Sequence, residues 1–150
     1  MRRCRGMFRE AQPRNESNQS QLRPDILLVE DEDGFRLLVQ QFLESAGYAV
    51  HSEPDGKAAL RYLERVSPKL IVTDLFMPDA NGIELMTWLC RARLEIGVVA
   101  MCGATAEERE LFEAMACDLG AHAMLHKPFG LTDLLMAVYG AIGSPISAVA

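Results

Sequence analysis

Four places in this 150-residue chain set polar residues where an apolar run stops: Glu30-Asp31, Asp74, Cys102 and Lys127. Glu30-Asp31 closes the run Ile26, Leu27, Leu28, Val29. Asp74 closes Leu70, Ile71, Val72, Thr73. Cys102 follows Val98 to Met101, and Lys127 follows residues 122–126. In a parallel sheet such ends share one edge, where open α/β folds bind ligands. Three carboxylates gathered there repel one another. A small hard cation relieves that repulsion; Mg²⁺ prefers oxygen ligands and keeps several waters, so it needs few carboxylates. A carboxylate held beside it can attack a phosphoryl donor and form an acyl phosphate. A lysine can then neutralise the transferred oxygens. The plainer alternative is an acidic helix start at residues 30–33, favoured by the helix dipole, and a surface charge at Lys127.

The elements that must position these residues alternate. Each apolar run is too uniformly hydrophobic to face water on one side, so each reads as a buried strand of a parallel sheet. Phe35, Leu38, Val39, Phe42 and Leu43 recur at helical spacing over residues 34–46, with Gly47 as a C-cap. Tyr48, Ala49 and Val50 begin a second strand. Asp55 can cap the next helix, with Ala58, Ala59, Leu60 and Leu63 inward and Ser67-Pro68 as its stop. The third strand reaches Asp74, then Met77-Pro78 and Asn81-Gly82 form a turn before a helix carrying Leu85, Met86, Leu89 and Cys90. After the fourth strand, Thr105 and Glu108 form a capping box for a helix through about Cys117. The fifth strand is followed by Lys127-Pro128-Phe129 and a helix over about 131–141. Five βα units imply an α/β fold, a parallel sheet with helices on both faces and right-handed crossovers.

Charge is uneven. Residues 1–23 carry six arginines against two glutamates; that +4, within a total of −6, leaves −10 on residues 24–150. The basic segment, nearly devoid of apolar residues over 13–24, reads as a disordered tail. Residues 24–142 read as one folded domain, and residues 143–150 as a fraying end. An acidic body argues against nucleic-acid binding by the folded domain. Cys4, Cys90, Cys102 and Cys117 form no CxxC pair, and no run reads as a signal peptide or membrane span, so the expectation is a cytoplasmic chain with free thiols. Cys90 and Cys117 are expected to be buried. His51, His122 and His126 have no metal-ligand spacing and read as structural or exposed. Trp88 is expected to pack on the sheet.

At this point three blocks become specific. LLVEDE at 27–32, TDLFMPDANG at 73–82 and HKPF at 126–129 resemble the receiver domain of two-component response regulators, the CheY-like superfamily. The resemblance implies a flavodoxin-like, doubly wound five-stranded sheet in the order 2-1-3-4-5. It implies phosphoryl transfer from a histidine kinase or histidine phosphotransfer protein to Asp74, without a turnover enzyme. Asp31 would be a direct Mg²⁺ ligand, Glu30 a partner acting through water, and Asp74 and the Phe76 carbonyl further ligands. Lys127 would contact the phosphoryl oxygens, and Pro128 would follow a cis bond.

Two positions depart from the pattern. Cys102 stands where the family usually has Thr or Ser at the end of the fourth strand; a thiol is a weaker, larger donor. Thr105, 22 residues before Lys127, has the familiar spacing, but choosing it would extend the strand by three residues. Cys102 with an enlarged loop is preferred, leaving Thr105 mainly a helix cap. Met124 stands where a rotating aromatic is usual. The expectation is a stand-alone receiver, monomeric or weakly dimeric, that signals through a downstream effector protein. The rival is a pseudo-receiver, a fixed binding module. A Mg²⁺-dependent phosphatase lacks support, because Leu75-Phe76 follows Asp74 and the usual Asp-x-Asp is absent.

Overall fold

The computed structural model describes residues 24–77, 82–92, 95–103 and 105–145. Ten elements alternate along the chain: β1 (Ile26–Val29), α1 (Asp33–Ser45), β2 (Val50–Glu53), α2 (Gly56–Leu63), β3 (Leu70–Asp74), α3 (Gly82–Ala92), β4 (Gly97–Cys102), α4 (Arg109–Asp118), β5 (Ala123–His126) and α5 (Leu131–Ile142). The five strands are parallel in the order β2-β1-β3-β4-β5, as the sequence suggests. The chain winds outward from β1 in both directions, so the carboxyl ends of β1 and β3 are neighbours at the centre. Ile26 pairs with Leu70 and Val29 with Thr73, which leaves Glu30 and Asp74 side by side one step beyond.

Side chains alternate across the sheet, and each face builds its own apolar layer. Leu27, Val29 and Ile71 point to one side and pack with Ala59 and Leu63 of α2, Leu85, Met86 and Leu89 of α3, and Ala116 of α4. Ile26, Leu28, Leu70 and Val72 point to the other, against Val39 and Leu43 of α1 and Leu134 and Val138 of α5. Because both faces are covered, β1 and β3 carry no solvent-facing side chain. That burial explains why their sequence is a continuous apolar run rather than an alternation.

The starts of α1 and α2 are set by acidic caps. Glu32 caps α1, its carboxylate accepting from the amides of Gly34 at 3.0 Å and Phe35 at 2.6 Å. Asp55 caps α2 through the Ala58 amide, as expected, at 2.7 Å. Several boundaries differ from the sequence reading. β2 begins at Val50; Tyr48 instead turns inward, buried, and its hydroxyl donates to the Gly143 carbonyl. α2 ends at Leu63, before Ser67-Pro68. Regular α4 begins only at Arg109: the Glu108 carboxylate accepts from the Thr105 amide and hydroxyl, which is one half of the capping box, and a turn intervenes. Gly47, at φ 103°, follows α1 in a left-handed conformation suited to glycine. Cys90 and Cys117 are exposed rather than buried, and the Cys90 thiol donates to the Leu119 carbonyl at 2.6 Å. Trp88 is partly buried against the α2–α3–α4 layer. Expectations for residues 1–23, 146–150, Pro78 and Asn81 lie outside the described residues.

Gly82 is more than a turn residue. As the first residue of α3 it touches the end of β3, and a Cβ there would fall on the Asp74 carbonyl oxygen and within 2.8 Å of Leu75 Cα. Both obstacles are backbone, which cannot rotate aside. Gly82→Ala should therefore destabilise the fold by about 2 kcal/mol or more, in the overpacking range. Denaturant unfolding checks this; a midpoint equal to the parent's would show that α3 can draw back without loss.

Candidate phosphoryl-acceptor site

The carboxyl edge of the sheet gathers four of the residues singled out above. Glu30 leaves β1 with its amide bonded to the Glu53 carbonyl of β2 at 3.2 Å, and its own carbonyl accepts from Arg36 Nη1 at 2.7 Å. These backbone bonds anchor a side chain only 1% exposed. Asp74, last residue of β3, is buried as well. Its Oδ1 accepts from the Phe76 amide at 2.8 Å. Lys127 enters from β5, where its amide donates to the Cys102 carbonyl at 2.7 Å, and the Lys127–Pro128 bond is cis. Its ammonium stands between the two acids, 2.8 Å from Glu30 Oε2 and 2.7 Å from Asp74 Oδ2. Asp31, exposed, completes a group in which one oxygen from each of Glu30, Asp31 and Asp74 lies within 4.8 Å of the others.

The electrostatics follow from burial and this crowding. Burial pushes the Glu30 carboxyl above the ordinary glutamate value, the Lys127 hydrogen bond pulls it back in part, and the Asp74 charge adds to the rise. Burial alone would lower the Lys127 ammonium, but the hydrogen bonds and charges of Asp74 and Glu30 outweigh it and raise it. In the cluster, three carboxyl groups gather around one ammonium. Every donor in it is a hard oxygen, and Asp31 opens it to solvent, so the residues present suit a small divalent cation such as Mg²⁺.

The remaining candidates sit at the rim or beneath. Cys102 ends β4, in agreement with the shorter strand. Its side chain is fully buried and belongs to the apolar layer shared with Ala100 and Ile71, against which Met124 also packs. Thr105 is engaged with Glu108, outside the cluster. Phe76 is 46% exposed, its ring edge-on to Phe112 of α4 with centroids 4.6 Å apart. His126, directly before Lys127, bonds through Nε2 to Glu113 of α4 at 2.6 Å. Thus α4 is tied to both flanks of the cluster. His51 pairs with Glu53 and stacks on Tyr62, while His122 Nδ1 accepts from the Val98 amide, so the histidines are engaged locally.

Sequence reasoning passed over one contact at the centre. The Lys127 ammonium lies 4.7 Å from the centroid of the Phe35 ring, and Phe35 meets Phe129 edge-to-face at 5.9 Å. The helical spacing of Phe35 marks it only as a core residue. The signal available was its place in the first turn after the acidic block.

Comparison with known proteins agrees with this geometry. The response regulator receiver domain family matches residues 26–139. The chain is 36% identical over 104 residues to the alkaline phosphatase synthesis transcriptional regulatory protein PhoP of Bacillus subtilis (strain 168), covering 69% of this chain but only 42% of that protein. It therefore spans less than half the length of that relative. It is 32% identical over 123 residues to Protein CcdB of the same organism, covering 79% of this chain and 97% of that protein. Among solved structures, the receiver domain of NtrX from Brucella abortus superposes with a TM-score of 0.71 at 26% identity, covering 79% of this chain and 98% of that one. The chain belongs to the response regulator receiver domain family.

Proposed function

We propose that this receiver accepts a phosphoryl group on Asp74 from a histidine kinase or histidine phosphotransfer protein and passes the signal on through protein–protein contacts. The observation that carries this reading is the Lys127 ammonium held between buried Asp74 and Glu30, with Asp31 alongside. In the transfer, an Asp74 carboxylate oxygen bonds to phosphorus as the bond from phosphorus to the donor nitrogen breaks. The imidazole nitrogen keeps the electron pair and takes up a proton. Lys127 follows the negative charge from the carboxylate onto the phosphoryl oxygens. Asp31 directly, Glu30 through water, Asp74 and the Phe76 carbonyl would hold Mg²⁺. When bound, that ion supplies charge neutralisation for the incoming phosphoryl oxygens.

Stand-alone action belongs to the same proposal; this chain covers 97% of one relative but 42% and 24% of two others. The output face is assigned to the β4, α4, β5 and α5 side, where Leu111 of α4 and Met136 and Tyr139 of α5 are exposed. This face fits a downstream effector protein and at most a weak dimer. A second reading, a fixed binding module, is favoured by the complete burial of Cys102 in the apolar layer and by Met124 beside it. It requires partner affinity that is the same with and without a phosphoryl donor.

Incubation with Mg²⁺ and phosphoramidate, followed by intact-mass measurement, tests the main reading. One phosphoryl group should add to the parent and none to Asp74→Asn; equal uptake by both would overturn it. Lys127→Met should leave two acids facing each other and destabilise the apo protein by about 3 kcal/mol, since removing one partner of a largely buried pair strands the other. Mg²⁺ should then raise the melting temperature of Lys127→Met more than that of the parent; an equal rise would contradict a shared charge site. The pairing also has a pH signature. The folded-state Lys127 value is raised, so its stabilisation is complete below the ordinary lysine value and disappears as pH climbs through the folded one. Denaturant midpoints should fall more steeply in that alkaline range for the parent than for Lys127→Met.

A further inference from the structure

We infer that Phe35 is a positioning residue for phosphoryl uptake: its ring face holds the Lys127 ammonium in the orientation that serves the acceptor carboxylate. The inference rests on the reading of Asp74 as acceptor and concerns a residue outside the acidic cluster and the Lys127 loop.

An ammonium has three N–H donors and no acceptor. Two of those of Lys127 are met by Glu30 Oε2 and Asp74 Oδ2. The Phe35 ring, with its centroid 4.7 Å from Nζ, offers a third attraction. A ring face draws a cation through its quadrupole and carries no formal charge. It therefore steers the ammonium without adding a third negative charge to those of Glu30 and Asp74. A third carboxylate in the same place would compete with the phosphoryl group for Lys127 and repel it.

The ring is itself held in place. The Phe35 amide donates to the Glu32 cap at 2.6 Å, fixing the first turn of α1. Phe129 braces the ring edge-to-face, with centroids 5.9 Å apart. Phe129 lies two residues beyond Lys127, so the loop that delivers the lysine also supports the ring. The next residue of α1, Arg36, binds the Glu30 carbonyl at 2.7 Å. The first turn of α1 is thereby locked to both Glu30 and Lys127. The Lys127 side chain is 26% exposed, and removing the ring would widen the path of water to the ammonium.

The test compares the parent chain with Phe35→Leu and Phe35→Tyr. Leucine preserves an apolar side chain without a π-face; tyrosine preserves the face. With saturating Mg²⁺ and phosphoramidate, the first-order rate of phosphoryl uptake should fall about three- to tenfold in Phe35→Leu and stay within about twofold of the parent in Phe35→Tyr. Parental rates in Phe35→Leu, or an equal loss in both variants, would overturn the inference. A second readout does not depend on phosphorylation: the Lys127 Hε protons should be shifted upfield by the ring in the parent and in Phe35→Tyr, and should return downfield in Phe35→Leu. Identical Hε shifts in the parent and Phe35→Leu would overturn the inference even if uptake proceeds. A parent that takes up no phosphoryl group strikes the acceptor reading instead, and the Hε shifts still decide whether Phe35 holds Lys127.

Discussion

Glu30 and Asp74 are buried side by side, and one ammonium is hydrogen-bonded to both. Without Lys127 the two acids would repel across a medium that screens weakly, and at least one would be driven to hold a proton. Burial and the neighbouring Asp74 charge raise the Glu30 carboxyl, and the Lys127 hydrogen bond opposes that rise. Much of the architecture serves this balance. Parallel pairing of β1 with β3 brings the acids together, the cis Lys127–Pro128 loop supplies the cation, and Gly82 lets α3 close against the Asp74 carbonyl. A site under such electrostatic tension is readily shifted by an added divalent cation or an added phosphoryl group, because either changes what the lysine must neutralise.

The parts of the molecule that were readable in sequence are those with a single physical solution. Residues 26–29 and 70–72 are apolar without alternation, as strands covered on both faces require, and strand-end chemistry follows directly from that. Asp55 announced its helix because a carboxylate cap has a fixed place relative to the amides it serves. Elsewhere the local signal was ambiguous. Tyr48 has strand propensity but is turned inward to the Gly143 carbonyl by a tertiary bond across 95 residues, which no local pattern carries. Cys90 and Cys117 lie within helical patterns, yet apolar type alone does not fix which helix face turns to solvent. Thr105 and Glu108 have capping-box spacing, but they bond to each other in the turn ahead of the regular helix.

The candidate site was legible to the same degree. Glu30, Asp31, Asp74 and Lys127 were marked by chemical type at strand ends, and the fold brings them together. Phe35 was not, because an aromatic at helical spacing carries the same signature whether it fills a core or covers a cation. The links to α4 were equally hidden. Phe76–Phe112 and His126–Glu113 join residues 36 and 13 positions apart that become neighbours only when α4 crosses behind the site. They matter because Cys102 is packed into the apolar layer and Met124 has no hydroxyl. The edges of the cluster thus have direct physical contact with α4.

The central claim is that Asp74, among three clustered acids, forms the acyl phosphate. Borohydride reduction of the phosphorylated protein followed by peptide mass mapping tests it most directly, because reduction converts an aspartyl phosphate to homoserine and records its position permanently. The account predicts that conversion at Asp74 alone. Conversion at Asp31 or at Asp33 with Asp74 intact would contradict it.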